Sequence, residues 1–127
     1  MLSGRLILIT YTGKKSGRKH CLPLQYAESH NELIVSDGYH QYKKWWRNLL
    51  RQSTVSVCYR GKWLEASAKA FDGDVEEIAP FLPDYLKRFP ASARIRGLTF
   101  DSSGNIEDSE KLVEEAKKVV MVKISVQ

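Results

Sequence analysis

Six short runs with the composition of β-strands, each ended by a turn signal, limit the folds open to this chain. Residues 5–12 (RLILITYT) are apolar and β-branched and stop at Gly13. Residues 20–28 (HCLPLQYAE) resume an extended pattern, in which Pro23 argues for an edge position or a bulge. A turn at Ser29, His30 and Asn31 leads to residues 32–36 (ELIVS), so these three runs read as an antiparallel meander. Residues 54–59 (TVSVCY) and 62–71 (KWLEASAKAF) follow, joined by Arg60-Gly61 as a two-residue hairpin turn. The final run, residues 119–126 (VVMVKISV), needs partners in the middle of a sheet. Closing the sheet into a barrel supplies them and removes exposed edges.

Between the runs the hydrophobic period changes. Over residues 42–51, Trp45, Trp46, Leu49 and Leu50 fall at helical spacing opposite Lys43, Lys44, Arg47 and Arg51. Neighbouring residues on a helix differ by roughly 100°, so the two tryptophans point different ways, and one should flank the core or reach a ligand. Residues 74–89 read as a helix with an acidic start, broken into short pieces by Pro80 and Pro83. Residues 91–105 read as irregular, and 107–118 as a last helix. With no repeat or linker, the expectation is one mainly β (α+β) domain over residues 1–127, with about six strands and two or three helices.

Composition narrows the setting. Cys21 and Cys58 have no CxxC spacing and lie in strand-like runs, so buried, reduced thiols and a cytoplasmic location are expected. His20, His30 and His40 share no metal-like spacing, and no nucleophile elbow is present. No segment approaches the roughly 20 apolar residues of a membrane span. The formal charge of +5 favours anionic partners without choosing among them. A nucleic-acid module would expose aromatics along a strand face, whereas here two tryptophans lie on a helical apolar stripe, so none is expected.

The strongest chemical signal is the turn that follows the first run. Gly13 and Gly17 let backbone N–H groups converge, Lys14, Lys15 and Arg18 add charge, and Ser16 adds a hydroxyl. It is not a P-loop, because Lys15 stands where that motif needs Ser or Thr. Taken alone, the turn is equally an anion cradle and a solvated hairpin.

In order and spacing, LITYTGKKSG, then Pro23-Leu24, LIVSDG and the run Trp45-Trp46-Arg47-Asn48-Leu49 resemble the deazaflavin-dependent nitroreductase family. That family lies within the flavin-binding split β-barrel superfamily, which includes the pyridoxamine phosphate oxidases. The resemblance covers roughly residues 6–71. It implies a six-stranded antiparallel split β-barrel with two or three flanking helices, which binds coenzyme F420 (a deazaflavin) or, in related branches, FMN. It further implies that Lys14, Lys15, Ser16, Gly17 and Arg18, with His20 in place of a common arginine, hold the cofactor phosphate. Pro23, Leu24 and Gln25 would line one ring edge beside Ser36, Asp37 and Gly38, and Trp45 and Asn48 would close the phosphate end. Tyr85 occupies the place of a tyrosine that faces the substrate. The implied activity is hydride transfer to a small quinone-like or nitro/enone acceptor, by a chain that pairs as a homodimer. The alternative is an FMN oxidoreductase, or a carrier of FMN, haem or lipid without turnover. Residues 89–105 are similar to FMN-type split barrels, and Leu82 and Arg88 replace tyrosines of the nitro-reducing relatives.

Overall fold

The computed structural model describes residues 6–38 and 45–126. β1 (Leu6–Thr12) turns back into β2 (Lys19–Gln25), and β3 (Ala27–Ser29) turns back into β4 (Glu32–Gly38). After a 3-10 helix (Trp45–Leu49) come β5 (Ser53–Tyr59) and β6 (Lys62–Asp72). Four helices, α1 (Val75–Ile78), α2 (Leu82–Arg88), α3 (Pro90–Ile95) and α4 (Ser109–Ala116), precede β7 (Val119–Val126). All seven strands form one antiparallel sheet in the order β2-β1-β5-β6-β7-β4-β3.

That order curls the sheet into a split barrel. β2 and β3 are its opposite edges, yet only Tyr26 separates them in the chain. Cα atoms two residues apart cannot lie more than about 7 Å from each other, so the edges must meet at Tyr26. Among the described residues no strand pairing joins them beyond that point. β3 pairs only with Glu32–Ile34, so beyond Ile34 the free side of β4 has no strand partner among the described residues. The free side of β2 has none either. A cleft therefore opens from Tyr26 between these two lips.

Alternation then sorts the side chains into two cores. Ile7, Ile9, Leu33, Val35, Val57 and Val122 point into the barrel with both tryptophans. Ile34, Val119 and Met121 point outward and are covered by Ile78, Leu82, Leu86 and Ala116 of the helices. β7 is thus buried on both faces, because the helices cover its outer side. Lys123 sits in this outer layer with its ammonium 3.6 Å from the Phe81 ring centre, 4.9 Å from that of Phe71 and 3.7 Å from Glu77 Oε2.

Several expectations are corrected. The strands number seven because residues 20–28 are not one strand; they break at Tyr26, and the supposed meander is two separate hairpins. The described part of the 42–51 segment is a 3-10 helix. It plugs a barrel end, where strands surround it on several sides, so Trp45 and Trp46 are both buried while Leu50 is 45% exposed. Tyr42, Lys43 and Lys44 lie outside the described residues. Residues 90–95 are helical, not irregular, with Pro90 in the first turn, where its missing N–H costs nothing. Cys21 is exposed, because it lies on the outer face of an edge strand. The Pro23 edge, the two short helices of residues 74–89 and the Arg60-Gly61 turn (φ 53° and 80°) match their reading.

Candidate functional site

The β1–β2 turn lies at the wide end of the cleft. The Gly13 N–H donates to the Arg18 carbonyl at 2.8 Å, and the Gly17 N–H donates to the Gly13 carbonyl at 2.9 Å. Gly17 takes φ +69°, a value that favours glycine. Gly13 lies close against side chains of its own hairpin. A Cβ there would lie 2.9 Å from Ser16 Oγ and 3.1 Å from His20 Nε2. Ser16 Oγ accepts from the Arg18 N–H at 3.1 Å, while the side chains of Lys14, Lys15 and Arg18 project into solvent.

The 3-10 helix holds this turn from beneath. Asn48 Oδ1 accepts from the Lys14 N–H at 2.9 Å, and Asn48 Nδ2 donates to the Trp45 carbonyl at 2.9 Å. Tyr11, the last inward residue of β1, stacks on His20 at 5.4 Å and leans on Trp45 at 5.9 Å. Burial pushes the Tyr11 phenol pKa up. The structure thus brings Lys14, Lys15, Ser16, Gly17, Arg18, His20, Trp45 and Asn48 into one corner. Sequence reasoning left out Tyr11 and the close packing of Gly13 against Ser16 and His20. The inward alternation of β1 was the available signal for Tyr11; the Gly13 contact depends on how the turn folds back.

Pro23, Leu24 and Gln25 run down one lip of the cleft toward Tyr26. Leu24 packs against the inner core, and Pro23 and Gln25 face out. The opposite lip is the stretch of β4 through Ser36, with its backbone traced on through Asp37 and Gly38; the Asp37 side chain lies outside what is described. Ser36 Oγ and Trp45 Nε1 are buried without a hydrogen-bond partner among the described residues. Orphaned polar atoms of this kind suit a polar ligand. Tyr85 belongs elsewhere. It is 7% exposed in the outer core, 4.8 Å from the Phe89 ring, and not in the cluster of Tyr11 and Trp45.

A second group of polar side chains escaped the sequence reading. Ser29 Oγ donates to Asp84 Oδ2 at 2.6 Å and lies 2.9 Å from His30 Nδ1, and the His30 ring packs on Phe81 at 4.6 Å. The Tyr59 hydroxyl donates to Glu28, which also receives Arg60 at 3.2 Å. Burial first, and then the Glu28 carboxylate, push the Tyr59 pKa up to about 12. Asp84 stands 55 positions from Ser29, so no local pattern announces their contact.

The family model of the F420H(2)-dependent quinone reductases matches residues 1–90. Among solved structures, one described as a domain-swapped dimer is 23% identical with a TM-score of 0.62, covering 99% of this chain and 82% of its own. An F420-H2 dependent reductase is 21% identical with a TM-score of 0.59, covering 97% and 94% respectively. A conserved hypothetical protein of Mycobacterium tuberculosis is 17% identical with a TM-score of 0.58, covering 98% and 74%. At these identities the structural likeness establishes the shared fold. No curated protein matches the chain.

Proposed function

The chain belongs to the F420H2-dependent quinone reductase family and is an F420-dependent oxidoreductase; from that premise we propose how its residues hold the cofactor and which acceptor class it serves. Coenzyme F420 is the cofactor, and FMN is not required. When bound, its reduced ring supplies the hydride, so the protein needs no nucleophile.

What remains to the chain is position and electrostatics. Lys14, Lys15, Ser16, Gly17 and Arg18 hold the phosphate against a turn whose backbone Asn48 has already fixed. β2 advances about 3.3 Å per residue, so Pro23 to Gln25 lie roughly 13–20 Å beyond Lys19. In this reading the ring lies along that lip, with the free β4 edge at Ser36, Asp37 and Gly38 facing it. His20 and Trp45 close the phosphate end through Tyr11. The acceptor is a small quinone-like molecule; Tyr85, the residue the resemblance would set toward it, packs on Phe89 in the outer core. The observation that carries this reading is the cleft: two unpaired strand lips diverge from Tyr26 toward a cationic, glycine-bearing turn.

A second copy completes the picture. Outward residues form two rows across β2, β1, β5 and β6: Cys21-Thr10-Ser56-Glu65 and Pro23-Leu8-Cys58-Trp63. Trp63 is 55% exposed on this face. A homodimer covers it, and a cytoplasmic setting keeps Cys21 and Cys58 reduced.

The test is to titrate F420 and FMN side by side while following tryptophan fluorescence. F420 is expected to quench at lower concentration, and Lys15→Ala to weaken it about tenfold, the cost of one charge-assisted phosphate contact. Equal affinity for FMN, or an unchanged Lys15→Ala titration, rejects the cofactor placement.

A further inference from the structure

A cavity of about 680 Å³ opens at the barrel end away from the turn, with Leu33, Ile124 and Val126 as its apolar floor and Ser29, His30 and Asp84 on its rim. A neighbouring cavity of about 400 Å³, lined by Tyr26 and Ala27, shares Glu28, Asp84 and Arg88 with it. Tyr26 is also where the cleft closes, so the cavity and the narrow end of the cleft adjoin.

Hydrogen-bond counting fixes the state of the rim. A serine hydroxyl has one proton, and Ser29 gives it to Asp84 Oδ2. Its oxygen then only accepts from His30 Nδ1, which must carry a proton. Nε2 is left as the nitrogen without a part in this relay, on a residue lining the cavity. Around His30 stand Asp84, Lys87 and Arg88 from α2, Glu28 from β3, Glu32 from β4, Tyr59 from β5, and the Phe81 ring.

We infer that this cavity takes the quinone-like acceptor and that His30 delivers the proton its reduction needs, with Ser29 and Asp84 as positioning residues. The inference rests on the proposed function. Reduction of a quinone to a quinol takes up one hydride and one proton. The hydride comes from the reduced cofactor. The proton passes from His30 Nε2 to the quinol oxygen, and neutral His30 regains one from water. Bound F420H2 would supply the hydride and return one proton to water, so that acceptor plus F420H2 balances quinol plus F420. The apolar floor suits the flat ring, and the polar rim suits its oxygen.

Two measurements test this on the full chain. Menadione added to cofactor-free protein is expected to give saturable amide shifts at Ser29, His30 and Leu33. In turnover with F420H2, kcat should fall as pH rises, because the donated proton becomes scarcer. His30→Gln should lower kcat about a hundredfold and abolish that limb, with F420 affinity unchanged. Menadione shifts confined to the cleft, or wild-type turnover with an unaltered His30→Gln profile, overturn this inference alone. If wild-type protein fails to oxidise F420H2 at all, the proposed function falls, and the proton role falls with it.

Discussion

Asn48 uses both ends of its amide to join the 3-10 helix to the turn, accepting from Lys14 and donating to Trp45. Asn48→Ala should cost about 1 kcal/mol of turn order, read as a roughly fivefold weaker F420 affinity by fluorescence titration. Tyr59 makes a prediction about alkaline stability. Its pKa is pushed from the ordinary 10 up to about 12, so below pH 10 it is protonated whether the chain is folded or not. Between those values the unfolded chain loses a proton that the folded chain keeps, and stability falls as pH rises. Tyr59→Phe should flatten that decline in urea midpoints measured from pH 9 to 12. Of these residues, Asn48 was legible in the sequence through its family resemblance. The Tyr59–Glu28 bond was not, since 31 positions separate the pair.

At the scale of elements, the ion pairs of the C-terminal helices differ sharply in worth. Arg96 meets Glu115 at 3.3 Å, with both side chains under a tenth exposed (7% and 6%), and Lys118 reaches the other oxygen of Glu115 at 3.4 Å. Removing Glu115 leaves a buried guanidinium without this carboxylate. Glu115→Ala should therefore lose about 3–5 kcal/mol in a urea titration. Glu114 and Lys117, 4.0 Å apart and 64% and 59% exposed, offer the control. Glu114→Ala should stay within about 1 kcal/mol of the parent. α4 was legible because Asp108, which accepts from the Lys111 N–H, precedes a helical run. α3 was missed because six residues are too few to show a period, and its Pro90 start reads equally as a loop.

At the scale of the molecule, the helices cover the side of the barrel formed by β7, β4 and β3, with Phe71 at its border. The opposite outer face keeps Leu8, Pro23, Cys58 and Trp63 in one row. If that face pairs two copies, Trp63→Glu should run as a monomer in light scattering, with an unchanged circular dichroism spectrum. A dimer that survives this change must use another surface. An edge-to-edge exchange through β2 would be one such arrangement.

Local chemistry alone determined most of the parts. Strand runs, the glycine-bearing cationic turn and the proline-broken helices all follow from residues within a few positions of each other. Tertiary structure decided everything that depends on which strands become neighbours. It placed β2 and β3 on opposite edges although one residue joins them, and so opened the cleft. It buried both Trp45 and Trp46 and left Cys21 outside, because a period of two says that faces alternate but not which face is covered. It also set Asp84 against Ser29, across a distance in sequence that no periodicity spans.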